Sequence, residues 1–145
     1  MKKQFGIILI ALMATLNACA DNDRIIAFEL LPADAQAKVS GLFQRSEVSY
    51  CTEDNDWFGK EYKVRLNNGW ELEFDSAGEL IKADAHKAAL PAGLVPEGIQ
   101  KYVSTTFPSA AVTEWKKDSR TIDVELNNGL DLVFDLNYNF LRLDD

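Results

Sequence analysis

The sequence contains few of the residues that metal sites use most often. Its 145 residues include two cysteines and one histidine. Cys19 lies in the N-terminal leader segment, where processing would either lipidate or remove it, so Cys51 has no thiol partner in the mature chain and His86 is its one histidine. A zinc site of the usual ligand types is therefore excluded, and so is a disulfide framework within the chain. We expect neither a metal nor a cofactor.

Motifs of catalysis are missing as well. The sequence has no phosphate-binding loop, G-x-G-x-x-G fingerprint or nucleophile elbow. Cys51 and His86 could in principle form a thiol–imidazolium pair, but no glycine-rich elbow or helix N-terminus adjoins Cys51 to activate it. The pattern predicts a half-buried strand cysteine and a linker histidine. We expect no catalytic residues and no enzymatic activity.

Basic residues are in the minority. The chain has 15 Lys and Arg against 23 Asp and Glu, for a formal charge of −8. Without residues 1–20, which contain two lysines, the charge falls to −10. Phosphate backbones and anionic lipid headgroups repel such a surface, so nucleic acid and direct membrane binding are improbable roles.

Long apolar runs are also scarce, and the longest is the twelve-residue Phe5–Leu16. It is too short to span a bilayer about 30 Å thick, and with Lys2 and Lys3 before it the run resembles a secretory signal. Two cleavage routes fit: L-N-A-C would leave a lipidated Cys19, and A-C-A would release a soluble chain from Asp21. Residues 1–20 are thus the predicted signal peptide. Residues 21–145 are a single periplasmic or extracellular domain, anchored to the outer membrane in the lipoprotein case.

The chain contains an internal duplication. VRLNNGWELEFD, which begins at Val64, returns sixty residues later as VELNNGLDLVFD. Across 62–84 and 122–144, 9 of 23 positions are identical, which chance explains poorly.

A second match lies upstream of the first. Leu31–Phe43 corresponds to Val95–Phe107 at an offset of 64, so the first copy carries four extra residues around Thr52–Gly59. We place the two repeats at about 28–86 and 93–145.

Each repeat is predicted to form one helix followed by four strands. Pro32 and Pro96 suit a first helical turn, and apolar residues follow at i, i+4, i+7 and i+8. Apolar and polar residues alternate strictly on both sides of Asn68-Gly69 and of Asn128-Gly129, which predicts two hairpins with type I′ turns. Flanking strands are predicted at Val48–Thr52, Leu80–Ala85, Val112–Lys117 and Phe140–Asp144.

The predicted fold class is therefore α+β. Tandem α-β-β-β-β units are expected to form an antiparallel sheet with the helices on one face. Before the last strand of the first repeat, Gly78 suits the left-handed turn position. The second repeat has Tyr138 there, so Asn137 or Asn139 is expected to take that conformation.

Aromatic residues outside the core pattern are the candidate binding residues. Trp57 and Phe58 lie in the inserted loop, while Tyr50 and Trp115 lie on the first strand of each repeat. Exposed Trp and Tyr are typical of binding hot spots. Packing of each ring onto its own sheet is the competing interpretation.

The outer faces of the two repeats differ in charge. Lys63 and Arg65 can pair with Glu71 and Glu73 in the first repeat. The second repeat has Asp123 and Glu125 against Asp131 and Val133, which predicts an uncompensated acidic surface. Such a face would attract a basic partner, or serve a small-ligand or cation sensor; simple solubility is the alternative. An EF-hand loop is excluded, because a loop starting at Asp54 would have Arg65 at position 12.

The tandem pattern resembles the PepSY-like family, also described as β-lactamase-inhibitor-like proteins. The residues that carry the resemblance are Leu31-Pro32, Phe43, Asn68-Gly69, Phe74-Asp75, Pro96, Phe107-Pro108, Asn128-Gly129 and Phe134-Asp135. Phe43-Gln44 departs from the usual F-P. The resemblance implies a non-catalytic protein of the periplasm or outer membrane that binds a protein or peptide partner, such as a hydrolase, through its open sheet face and loops. It carries over no catalytic residues and leaves the oligomeric state open.

Overall fold

The computed structural model describes residues 23–144, so the predicted signal peptide and Cys19 lie outside the described residues. The two helices are α1 (Ala33–Leu42) and α2 (Glu97–Thr106). The strands within this range are β1 (Arg24–Ile26), β2 (Val48–Asp56), β3 (Gly59–Leu66), β4 (Glu71–Phe74), β5 (Leu80–Asp84), β6 (Val112–Lys117), β7 (Thr121–Leu126), β8 (Asp131–Asp135) and β9 (Phe140–Asp144). Short 3₁₀ turns lie at Phe28–Leu30, Arg45–Glu47 and Ala92–Leu94.

The strands form one antiparallel sheet in chain order, from β1 to β9. The two repeats meet where β5 pairs with β6, with Ala83 opposite Trp115. The predicted α+β class and the order of strands within each repeat are confirmed. An additional strand, β1, lies before the first repeat and pairs with β2, with Ile26 opposite Cys51.

One face of the sheet carries the core. Ala35 and Val39 of α1, and Ile99 and Val103 of α2, are buried against it, as their spacing predicts. The inward side chains of the central strands are fully buried and apolar: Val64, Leu66, Leu72, Phe74, Ile122, Val124, Leu126, Leu132 and Phe134. Polar residues alternate with them, so the opposite face of the sheet, here called the outer face, carries most of the charge. No helix in the described part of the chain is long and apolar enough to cross a membrane.

The Asn-Gly hairpins form, but the predicted type I′ turns are wrong. Only the glycine of each pair has a positive φ, 89° at Gly69 and 85° at Gly129. Each glycine donates its N–H to the residue three positions back, Leu66 or Leu126, at 3.0 Å. This is the three-residue loop in which a type I turn is followed by a left-handed residue.

The left-handed residue before β9 is also different from the prediction. Tyr138 itself has a φ of 66°, at the position that Gly78 occupies in the first repeat with a φ of 89°. The Asp135 carboxylate accepts hydrogen bonds from the backbone N–H groups of Asn137 and Asn139, both at 2.9 Å. Asp75 makes the equivalent bonds in the first repeat, so the aspartate fixes the turn whichever residue follows.

Candidate functional site

The four extra residues of the first repeat lengthen the β2–β3 hairpin. Asp54, Asn55 and Asp56 continue β2 and pair with Glu61, Lys60 and Gly59 of β3. Because β6 and β7 have six residues each and β2 and β3 have nine and eight, this hairpin is longer than its counterpart in the second repeat. The acidic residues from Asp54 to Asp56, where the sequence excludes an EF-hand loop, therefore belong to strand β2.

Trp57 and Phe58 form the tip of this hairpin. The Asp56 carboxylate accepts a hydrogen bond from the Phe58 N–H at 2.8 Å, and Gly59 follows with a φ of 124°. An acidic residue and a glycine therefore close the turn, and the two aromatic side chains play no part in it. Trp57 is 100% exposed and Phe58 is 97% exposed, the largest values among the exposed apolar side chains.

The stem of the hairpin is only partly neutralised. Arg24 of β1 approaches Glu53 at 3.3 Å and Lys60 approaches it at 3.4 Å. Asp54, Asp56 and Glu61 add further negative charge toward the tip. The aromatic tip therefore stands on an acidic stem.

The other two predicted binding residues lie in different environments. Tyr50 is opposite Arg65 on the outer face and is 41% exposed. Trp115 is 3% exposed and donates its indole N–H to the Leu94 carbonyl at 2.7 Å. Trp115 is thus a core residue that packs on the inner face, opposite Ala83, where the two repeats meet. The prediction that Trp115 is a surface binding residue is therefore wrong.

The outer face of the first repeat is a compensated charge network. Lys63 lies opposite Glu73, and Arg65 lies opposite Glu71 and bonds to it. Lys82 of β5 places its Nζ 3.6 Å from Glu71, 3.7 Å from Glu73 and 3.8 Å from Glu114. The cross-strand pairing predicted for this repeat is confirmed.

The two glutamates of β4 titrate differently. Burial raises the pKa of Glu73, and a hydrogen bond with the neighbouring Glu71 carboxyl group raises it further. Burial also opposes ionisation of Glu71, but that hydrogen bond and the charges of Lys63, Arg65 and Lys82 outweigh it and lower the pKa of Glu71. Glu73 is therefore the member of the pair that holds its proton more tightly in the folded protein.

Substitution Glu73→Gln is expected to change how stability depends on pH. Because the pKa of Glu73 is raised in the folded state, the folded protein holds this proton more tightly than the unfolded chain does. The wild-type protein therefore loses stability as the pH rises above the usual glutamate range and Glu73 ionises. The variant lacks this loss, so its stability relative to wild type should increase between about pH 4 and pH 7. Urea unfolding at both pH values measures this. The exposed Glu61→Gln is the control; a relative stability of Glu73→Gln that stays flat or falls would contradict the assignment.

The outer face of the second repeat is acidic and concave. Asp123 and Glu125 replace the two basic residues of the first repeat, and they lie opposite Val133 and Asp131. These side chains, with Glu114, Lys116 and Asp144, line a recess of about 280 Å³. Val133 is buried but lies outside the core cluster, so it is an apolar floor beneath the charged rim.

Burial and neighbouring carboxylates raise the pKa of two acidic groups in this recess. Burial, then the nearby Asp118 and Asp144 carboxylates, raise the pKa of Asp123. Burial and Asp84 likewise raise the pKa of Glu114. The excess of negative charge predicted for this face is present, but it is not uncompensated, because Lys116 lies opposite Asp123 and Arg142 lies opposite Val133. In residues 23–144, however, no three acidic, His or Cys side chains are placed to hold a metal ion.

Cys51 and His86 do not form a pair. The Cys51 thiol is buried on the inner face of β2, and this burial raises its pKa. His86 contacts the Gly69 carbonyl at 3.0 Å and the Asp84 carboxylate at 3.5 Å instead. A thiol with a raised pKa and no adjacent imidazole is a poor nucleophile.

Solved structures share this architecture. A "putative periplasmic protein from DUF2874 family" from Bacteroides vulgatus ATCC 8482 is 34% identical, with a TM-score of 0.79 over 87% of this chain and 99% of that one. A "putative calcium-regulated periplasmic protein" from Bacteroides thetaiotaomicron is 33% identical, with a TM-score of 0.78 and the same coverage. A further "putative periplasmic protein of unknown function" from B. vulgatus ATCC 8482 is 29% identical, with a TM-score of 0.74 over 85% of this chain and 99% of that one.

No protein of curated function matches the sequence significantly. The family model described as "Putative beta-lactamase-inhibitor-like, PepSY-like" matches twice, at residues 22–82 and 60–142. Since the two matches together span most of the sequence, the chain belongs to this PepSY-like family.

Proposed function

We propose that this protein is a non-catalytic binding protein of the periplasm that recognises a protein partner through the tip of the β2–β3 hairpin and the outer sheet face. The observation that carries the proposal is the complete exposure of Trp57 and Phe58. Two adjacent aromatic side chains that are exposed to water have not gained the hydrophobic free energy of burial, and contact with a partner would provide it.

The setting of the tip favours a partner with a pocket. Large aromatic anchors that enter a desolvated pocket dominate the energetics of many interfaces. The acidic stem would then meet basic residues around that pocket. Tyr50, half exposed on the outer face near the base of the same hairpin, extends the surface.

The acidic recess of the second repeat supports a partner with basic character. Asp123 and Glu125 stand where the first repeat has its lysine and arginine, and Lys116 is the one basic residue that lines the recess. The apolar Val133 forms the floor. A field of one sign speeds the encounter with an oppositely charged protein. The family description and the periplasmic relatives support inhibition or modulation of an envelope hydrolase as the specific role.

Substitution of both tip residues tests the proposal. The mature chain and its Trp57→Ala/Phe58→Ala variant are used to capture partners from envelope extract, and the affinity of any purified partner is then measured. We expect at least about a hundredfold weaker binding by the variant, since hot spots cost roughly 2 kcal/mol or more each.

The control is Leu30→Ala, which removes an exposed apolar side chain in the turn before α1, away from both the tip and the outer face. It should bind like wild type, and both variants should unfold at the wild-type temperature. A partner bound equally well by all three proteins would assign Trp57 and Phe58 no role. Failure to recover any specific partner would count against a binding protein.

A cation-dependent sensor is the second candidate. The acidic recess and the relative described as calcium-regulated favour it, whereas the lack of a three-ligand cluster among residues 23–144 does not. Calorimetric titration with calcium separates the two functions. A heat of calcium binding to the wild-type protein that is lost in the variant Asp123→Asn/Glu125→Gln would favour the sensor. If calcium gives no heat of binding with the wild-type protein, the cation sensor is rejected and the protein-binding function stands.

A further inference from the structure

Strand β9 forms one edge of the sheet. Among the described strands it pairs only with β8, and its other side has no strand partner. Leu141 and Leu143 on this strand are 49% and 50% exposed. An edge with exposed apolar side chains and free backbone groups is suited to pairing with another strand.

The first repeat shows what such an edge can accept. β5 is the counterpart of β9, and both strands have a register shift near their start, opposite Glu73/Phe74 and Val133/Phe134. Beyond its shift, β5 pairs on its far side with the antiparallel β6 over Lys82, Ala83 and Asp84. The shift therefore does not prevent pairing. The equivalent residues of β9 are Arg142, Leu143 and Asp144.

These three residues are complementary to themselves. When two β9 strands run antiparallel with Leu143 opposite Leu143, each Arg142 lies opposite the Asp144 of the other chain. Leu143 shares the inner face with Leu132, so the two leucines meet on the apolar side and both ion pairs lie on the outer side. Within one chain, Arg142 and Asp144 approach only to 3.9 Å and remain largely exposed.

We propose that the β9 edge binds a second copy of this chain, forming a twofold dimer with one continuous antiparallel sheet. The inference is independent of the proposed function. The other edge, β1, is a poorer match: Leu143 opposite Ile26 would place Asp144 opposite Ile25 and Arg142 opposite Ala27. A twofold β9 interface also closes with two copies, whereas a β9–β1 contact is heterologous and continues into a larger ring or an open chain.

Charge reversal at the edge tests the register. Sedimentation equilibrium is run on residues 21–145, from roughly 10 µM to 1 mM because so short an interface is weak. Wild type should approach twice the monomer mass at the upper end. Arg142→Asp and Asp144→Arg should each dimerise at least about tenfold more weakly, since like charges then oppose each other twice.

Two further samples make the test specific. The double exchange Arg142→Asp/Asp144→Arg should restore wild-type dimerisation, and an equal mixture of the two single variants should form heterodimers. Arg120→Asp, an equal charge change on the β6–β7 turn, should dimerise like wild type. A monomer at all concentrations would overturn the proposal, as would a dimer that either single variant leaves unchanged. Unaltered thermal midpoints confirm that the variants remain folded.

Discussion

Substitution Phe134→Ala is expected to lower the free energy of unfolding by about 4 kcal/mol, the loss typical of a large aromatic removed from a core. Phe134 is fully buried beneath α2. Its ring lies 5.3 Å from that of Tyr102 and 5.8 Å from that of Phe140, both edge to face. Tyr102 and Phe140 stack on each other at 5.0 Å, so the three rings form one cluster.

The duplication provides a matched comparison for this variant. Phe74 is the counterpart of Phe134 and is equally buried, but Lys38 and Leu80 stand where the second repeat has Tyr102 and Phe140. Both alanine variants lose the same transfer free energy. Phe134→Ala should cost more than Phe74→Ala by roughly 0.5–1.5 kcal/mol for each lost aromatic pair.

Urea unfolding of both variants measures the difference. An equal cost at the two sites would mean that the ring cluster adds nothing beyond burial of area. A greater cost at Phe74 would contradict the assignment of the cluster to the second repeat. Because the core residues are shared in one sheet, each variant should still unfold in a single transition.

The regular part of the fold could be predicted because several signals coincide there. Around Asn68-Gly69, alternation, turn residues and the second copy at Asn128-Gly129 indicate the same hairpin. Periodicity places a side chain on a face, which is why Val64 and Leu72 were recognisable as core. It does not determine φ, and so the turn type was predicted incorrectly.

The features that escaped prediction depend on tertiary contacts. β1 has three residues and is stabilised by pairing with β2, so local sequence holds no strong signal for it. Glu53 and the acidic residues after it have low strand propensity, yet the basic Arg24 and Lys60 beside Glu53 favour the extended arm. Trp115 could have been placed in the core from its alignment with the buried-strand residue Cys51.

The exposure of Trp57 and Phe58 is another feature that the sequence alone does not determine. Sequence alone leaves an aromatic pair in a loop free to fold back on its own sheet. Two extra residues in each arm of the hairpin carry this pair beyond the sheet. The turn is closed by a hydrogen bond from the Phe58 backbone N–H to the Asp56 carboxylate, so neither aromatic side chain takes part in it. The binding residues therefore follow from the length of the insertion as much as from their identity.

The contact between α2 and the β8–β9 turn carries the second large stability effect. A side chain at Gly98 would place its Cβ 2.7 Å from the Cβ of Tyr138. In the first repeat the counterparts are Asp34 and Gly78. There the turn residue is the glycine, and a Cβ added to Gly78 would lie 3.0 Å from the backbone N of Ala35 and 3.2 Å from the Cβ of Asp34. The two repeats thus make the same helix–turn contact with the glycine on opposite partners.

Substitution Gly98→Asp, which copies the first repeat, is therefore expected to destabilise the protein by roughly 1–3 kcal/mol through overpacking against Tyr138. Helix propensity alone predicts the opposite sign, since glycine is the poorer helix former by about 0.3–1 kcal/mol. Gly41→Ala in α1 is the control: no atom lies within 4 Å of its added Cβ, so this variant should be as stable as wild type or more stable.

The double variant Gly98→Asp/Tyr138→Gly should recover most of the lost stability, with a coupling free energy of about 1–3 kcal/mol between the two sites. Urea unfolding of wild type, both single variants and the double variant completes the cycle. Additive effects would show that the close contact does not link the sites. Recovery would explain why Tyr138 can adopt a positive φ. Because Gly98 has no side chain, the Tyr138 ring can pack directly on α2, while the Asp135 carboxylate fixes the turn by its hydrogen bonds.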